Sequence, residues 1–229
     1  MERVRTDGDI VPRDGSQLVL GTLRLGAGET GGLGSGDSDA LVFVFGGGGE
    51  LDGLDVGSGS GALVLAGESG RLVAGPEGLS AVRVTVGSDV DLHAPMGKRE
   101  RVVSVDHVEP GEAMGSRSFQ VLFGPHNGSP RATMFVGYVP PGRAPWHYHL
   151  YDEIVWIRRG PGRYHVGDAV EELVDGSAFR ISPREVHIVE NTSVDRELVL
   201  VGFFTPAGSP SAAYLMPDVA ASYAVAAPS

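Results

Sequence analysis

The apolar residues of this chain come in short pieces separated by breaks. Leu18-Val19-Leu20, Leu41-Val42-Phe43-Val44-Phe45, Ala62-Leu63-Val64-Leu65 and Ala81-Val82-Arg83-Val84-Thr85-Val86 lie in the first half. Ala132-Thr133-Met134-Phe135-Val136, Ile154-Val155-Trp156-Ile157 and Leu198-Val199-Leu200-Val201 continue the series. Each piece is rich in β-branched or aromatic residues and is bounded by Gly, Pro, Asp or Ser. That is the punctuation of strands and turns. Only Ser211 to Ala226 has helical character, through its alanines, and Pro217 interrupts it. Residues 88–117 are charged, contain Pro95 and Pro110, and read as a connector. The pattern predicts an all-β protein with little helix.

Composition sharpens this picture. The chain holds 35 Gly and 15 Pro in 229 residues, with glycine at roughly twice its usual share. No Gly-X-Y period accompanies them, which excludes collagen, and a hydrophobic share of 41% supports a packed core. Of the glycines, 22 lie in residues 1–96 and 13 in residues 97–229. Sliding the chain by 114 residues lays Gly28 on Gly142, Gly46 on Gly160, and Leu41–Phe45 on Val155–Arg159. At a slightly shorter offset, Pro76-Glu77-Gly78-Leu79-Ser80-Ala81 matches the segment from Pro183 to His187. Two β domains of common origin follow, over residues 1–96 and 118–205, with a connector at 97–117 and a tail at 206–229.

Charge and cysteine content remove whole classes of function. Without cysteine there is no disulfide, zinc–thiolate site, iron–sulfur cluster or thiol nucleophile. The net charge is −11, and Lys98-Arg99-Glu100-Arg101 is the sole basic cluster, which argues against nucleic-acid and anionic-membrane partners. No apolar run approaches the roughly 18 residues that cross a bilayer. Met1-Glu2-Arg3-Val4-Arg5-Thr6-Asp7 has no hydrophobic core behind its arginines, so no signal peptide is expected and the expected location is cytoplasmic.

The chemistry concentrates in Pro141-Gly142-Arg143-Ala144-Pro145-Trp146-His147-Tyr148-His149-Leu150-Tyr151-Asp152-Glu153. Residues two apart on a strand share a face, so His147 and His149 point one way and Tyr148 the other. Glu153 keeps that parity if the chain stays extended or turns tightly at Leu150–Asp152. Two imidazoles and a carboxylate on one face suit a divalent metal. His187, in Pro183-Arg184-Glu185-Val186-His187-Ile188-Val189-Glu190-Asn191, is the natural fourth ligand from a distant strand.

The run from Gly142 through His147, His149 and Glu153 to Gly160 resembles the first motif of the cupin superfamily. The run from Gly176 through Pro183 and His187 to Asn191 resembles the second. The resemblance implies tandem jelly-roll barrels, and its ligand positions fall on His147, His149, Glu153 and His187. Gly142 sits one residue closer to His147 than the family pattern has it. Pro183 likewise sits one closer to His187, with no glycine between them; both departures touch loop geometry. Under the 114-residue offset the first-motif ligand positions become Leu33, Ser35 and Asp39, and Ala81 takes the place of His187. The N-terminal barrel implied in this way lacks metal ligands and is a scaffold.

Other residues near the motifs are weaker candidates. Tyr151, Tyr164, His165 and Arg180 are candidates for the surroundings of the metal. His165 can line the cavity as an acid/base, but the favoured reading is a solvated strand residue, because Tyr164 and His165 face opposite sides. Arg180 or Arg143 can pair with a carboxylate or enolate. Trp156, opposite in parity to Glu153, is expected to pack outside the barrel. His93, His107 and His126 are expected at the surface. The aromatics of the second half, Phe135, Tyr138, Trp146, Tyr148, Tyr151, Tyr164, Phe179, Phe203 and Phe204, either line a cavity or form ordinary core.

The resemblance implies one divalent transition metal, with Fe(II) favoured and Mn, Zn, Ni or Co as alternatives. The leading expectation is a metal-dependent small-molecule enzyme of dioxygenase type acting on an aromatic or keto-acid-like substrate. The first alternative is a non-redox Lewis-acid enzyme, an isomerase, cyclase, lyase or hydrolase. A non-catalytic small-ligand-binding protein is the second. The expected partner is a small-molecule substrate, with the chain a monomer or homodimer.

Overall fold

A computed structural model describes residues 16–34, 36–113 and 116–215. All regular structure there is strand except two 3-10 turns, and every strand pairing is antiparallel. The first half contains β1 (Leu18–Leu25), β2 (Thr30–Leu33), β3 (Asp39–Leu51), β4 (Leu54–Gly57), β5 (Ser60–Val64), β6 (Gly70–Val86) and β7 (Val102–Ser104). These seven form one sheet in the order β1-β6-β3-β5-β7, with β2 on β6 and β4 on β3.

The two long strands give this sheet its curvature. Their pairing is interrupted between Val44 and Gly46 and again between Gly47 and Gly49, as bulges that bend both strands. The run Gly46–Gly49, a turn by composition, therefore continues β3. Backbone crowding explains the choice of residue. A Cβ on Gly47, whose φ is +66°, would meet Gly78 O at 2.1 Å, and one on Gly49 would meet Val73 O at 2.0 Å. The bend closes the sheet on a core of Leu33, Val42, Val44, Leu51, Val64 and Leu72.

The second half contains β8 (Gly111–Ala113), β9 (Arg117–Phe123), β10 (Thr133–Val139), β11 (Gly142–Arg143), β12 (His147–His149), β13 (Asp152–Arg159), β14 (Gly162–Val166), β15 (Ala169–Leu173), β16 (Ala178–Ile181), β17 (His187–Asn191), β18 (Leu198–Thr205) and β19 (Ala213–Leu215). One sheet runs β16-β13-β18-β10-β9-β8 and the other β15-β14-β17-β12-β19, with β11 on β17. Residues 97–117 are shared out: β7 pairs with β5 of the first half, and β8 with β9 of the second.

The first of these sheets is covered on both sides, which explains its unbroken apolar runs. Val155, Ile157, Leu198, Leu200 and Phe204 face the second sheet. Met134, Val136, Ile154, Trp156, Val201 and Phe203 face the N-terminal sheet, where they meet Leu41, Phe43, Leu63 and Val84 in one shared core. Trp156 lies outside the barrel, as its parity requires, with its ring 4.8 Å from that of Phe45. Each such large side chain contributes about 1.5–3 kcal/mol on full burial. An ion pair adds to the seam, with Arg131 Nη1 2.9 Å from Asp39 Oδ1.

The segment read as an alanine-rich helix from Ser211 begins differently. Ala213–Leu215 form β19 and pair with β12, with the rings of Tyr148 and Tyr214 stacked at 5.2 Å. Tertiary pairing outweighs alanine's local preference over those residues. The remainder, from residue 216, lies outside the described residues, as do Met1 to Arg5 and Ser35.

Candidate metal centre

The four expected ligands converge from three strands of the second half. His147 and His149 occupy alternate positions of β12, His187 opens β17 directly opposite His147, and Glu153 is the second residue of β13. All four are buried, at 7%, 2%, 2% and 4% exposure for His147, His149, His187 and Glu153. The ring of His187 lies 4.4 Å from that of His147 and 5.1 Å from that of His149.

Backbone carbonyls set the tautomer of each imidazole. Nδ1 of His147 lies 2.9 Å from Pro145 O, Nδ1 of His149 2.9 Å from Tyr151 O, and Nδ1 of His187 2.8 Å from Glu185 O. A carbonyl only accepts, so each Nδ1 carries a hydrogen, and in an uncharged ring Nε2 is then the atom with the lone pair. Burial, the leading cause, pushes the pKa of His147 down to about 4. Burial, with His147 as the next cause, drives that of His187 well below its ordinary value. Both rings are thus held uncharged, the form that ligates metal.

His149 Nε2 is buried without a hydrogen-bond partner, yet lies 3.0 Å from Glu153 Oε2. Two ligand atoms each about 2.1 Å from one ion, at right angles, would lie about 3.0 Å apart. This one pair, His149 and Glu153, therefore has the separation of two ligands of a single ion. Among the described residues, no group of three or more His, Asp or Glu side chains is placed to hold a metal ion as it stands. Gly202 gives Glu153 its room: a Cβ there would come within 2.2 Å of the Phe135 ring and 2.7 Å of Glu153 Oε1.

The donors line a cavity of about 90 Å³ whose other walls include Phe119, Phe135, Val139, Val155, Val189 and Leu200. Tyr151 also lines it, its ring stacked 4.0 Å from His149 on one side and 4.0 Å from Phe204 on the other. Burial, then the Glu153 charge, raises its phenol pKa, and the hydroxyl lies 3.4 Å from Pro210 O as donor. The other secondary candidates face elsewhere. Tyr164 is core, stacked 4.2 Å from Phe179. His165 points to the opposite side of β14, but it is buried there and not solvated as expected, with Nε2 2.6 Å from Glu190 Oε2. Arg180 turns toward the first half, donating to Leu18 O at 2.6 Å. His93, His107 and His126 are exposed.

One cavity residue escaped the sequence reading. Arg117 opens β9 and lines the same cavity as the donors. Burial lowers its pKa, opposed by Tyr151 and Glu153. The signal was alternation. Arg117, Phe119 and Val121 share parity, and the last two pack on the inner core.

Residues 134–204 match the Cupin domain, a span that includes all four donors. No curated protein matches the chain. Among solved structures, a variant of Bacillus subtilis oxalate decarboxylase is similar with a TM-score of 0.74 at 14% identity, over 94% of this chain and 79% of that one. A second Bacillus subtilis oxalate decarboxylase structure, concerned with its Mn(II) centres, gives 0.72 at 16% identity over 88% and 72%. A third, concerned with substrate binding and a reaction-specificity switch in oxalate decarboxylase, gives 0.72 at 15% identity over 88% and 71%. At such identities the likeness is one of fold, and it extends over both halves of the chain, with the Cupin domain match lying in the half that carries the donors.

Proposed function

We propose that the protein is a metal-dependent enzyme in which His147, His149, Glu153 and His187 hold one divalent ion and a small substrate reacts in the cavity beside it. The observation that carries this reading is the set of three imidazoles, each tied through Nδ1 to a backbone carbonyl, beside a buried carboxylate. Such ties from Nδ1 to a carbonyl orient the ring and leave Nε2 as the metal donor. A bound ion supplies Lewis-acid activation of substrate or water and, for Fe(II) or Mn(II), electron exchange. The chain's own residues hold it, exclude water through the apolar walls and orient the substrate.

Oxidation with O₂ is the first reaction reading, with Fe(II) as the ion. Carbon–carbon cleavage without net oxidation is the second, supported by neighbours named as a decarboxylase with Mn(II) centres. The first half, with Leu33 buried and Asp39 engaged by Arg131, serves as a scaffold. Metal analysis of protein purified without added metal tests the centre. Oxygen uptake with phenolic and keto-acid compounds then separates the reactions. Iron-free protein with no compound driving O₂ uptake rejects the oxidative reading, and unchanged metal content in His187→Ala rejects the centre.

A further inference from the structure

We propose that Arg180 is a positioning residue for the metal centre, through which the donor-free first half holds the turn that carries His149 and Glu153. The inference rests on the metal-centre reading above. The cavity beside the donors is lined from the second half, by residues from Ala113 to Ala213. Any influence of the first half on the donors therefore travels through the seam.

Alternation along β13 makes the connection. Glu153, Val155 and Ile157 point to the cavity side, while Ile154 and Trp156 point to the first half. Asp152 shares the parity of the second set, so it stands back to back with a donor. Only Leu150 and Tyr151 separate it from His149, the last residue of β12. Fixing Asp152 thus fixes the short path between two donors whose nearest atoms lie 3.0 Å apart. A binding constellation needs its members held to within about 0.5 Å, and the outward side of this turn is where that restraint is applied.

Four residues close a ring of contacts there. Ser16 Oγ donates to Asp152 Oδ2, and the Leu18 amide donates to Ser16 Oγ at 3.2 Å. Leu18 O accepts from Arg180 Nη2 at 2.6 Å, and Arg180 Nη1 lies 3.5 Å from the same Asp152 Oδ2. Ser16 and Leu18 belong to the first half, Asp152 and Arg180 to the second. Leu18 is fully buried at the start of β1, within the core that the halves share. The side chains of Arg180 and Asp152 are 7% and 14% exposed, so contacts within the ring take the place of water. A guanidinium suits the task because its fork of N–H donors reaches a backbone carbonyl and a carboxylate at once. Across the β13–β16 pairing, Arg180 lies opposite Ile154 and Ile181 opposite Glu153. Arg180 therefore grips β13 from the adjoining strand as well as through Asp152.

The test titrates Co(II) into the whole chain, reads the visible spectrum of the bound ion, and records the Tm of each metal-free variant. Arg180→Met should weaken Co(II) binding about 10-fold, the lower end for residues that hydrogen-bond a ligand directly, and should shift the bound spectrum. Ser16→Ala, a change in the first half, should act in the same direction by a smaller factor. Arg180→Lys keeps the charge and one contact, so it should bind Co(II) more tightly than the methionine variant. It and Ser16→Ala carry the test if the methionine variant does not fold. Arg131→Ala is the control. It breaks another buried pair of the seam, Arg131 with Asp39, and should lower Tm without changing Co(II) affinity or spectrum. Unchanged binding and spectrum in Ser16→Ala and the Arg180 variants overturns the positioning role and leaves the centre in place. An equal loss of affinity in Arg131→Ala also overturns it, because seam stability alone then accounts for the effect. Failure of the wild type to bind Co(II) rejects the centre, and this role with it.

Discussion

His149 Nε2 lies 3.0 Å from Glu153 Oε2 without forming a hydrogen bond to it. The two groups come from different strands, β12 and β13, and both are almost fully buried. A buried imidazole nitrogen left unsatisfied costs about 1–3 kcal/mol, and the proposed ion, if shared by both groups, would relieve that cost. Removing a ligand should therefore cost more than metal affinity. His187→Ala should lower affinity by more than the roughly 10- to 100-fold seen when only a residue that hydrogen-bonds a ligand is changed, and it should also remove the metal-dependent rise in Tm. Thermal melts with and without added metal measure this.

Gly202→Ala should damage the centre without touching a ligand. The added methyl has no space between the Phe135 ring and Glu153 Oε1. Overpacking of this kind costs about 1–3 kcal/mol, and displacement of Glu153 should weaken metal binding in the same variant. Gly32→Ala, where nothing lies within 4 Å, is the matched control and should leave metal binding unchanged. A Gly202→Ala protein with wild-type stability and metal affinity would count against the crowding described.

The metal-free protein should lose stability as pH falls. His147 has a folded pKa near 4, against 6.5 as its ordinary value. Between those values the unfolded chain binds a proton that the folded chain does not, so stability falls with pH across that window. His187 acts in the same direction. The loss attributable to His147 is on the order of 3 kcal/mol. Urea titrations of chelator-treated protein at pH 7, 5.5 and 4 should show it, and a flat profile would contradict it.

Arg131→Ala should loosen the seam between the halves. Asp39 is 1% exposed, and its Oδ1 also accepts from the Ala66 amide at 2.8 Å. Deleting the guanidinium leaves a buried carboxylate without its cation, which costs about 3–5 kcal/mol. Replacing both partners, Asp39→Asn with Arg131→Met, should cost less than the single change. Denaturant midpoints of the three proteins decide this.

Local sequence determined a good deal of this molecule. Period-two alternation places a residue on one face of a strand wherever the strand sits. It was enough to put His147, His149 and Glu153 on one side and Trp156 on the other, and Gly/Pro punctuation located the apolar strands. The unbroken run Leu198–Val201 even carried the sign of burial on two faces. What alternation cannot state is which element covers a given face. Only the packed sheets decided that Tyr164 is core, that His165 answers to Glu190, that Arg180 reaches back to Leu18, and that Arg117 enters the cavity. The same limit applies to Gly46–Gly49 and Ala213–Leu215. Their local preferences point to turn and helix, and long-range backbone pairing made both into strand.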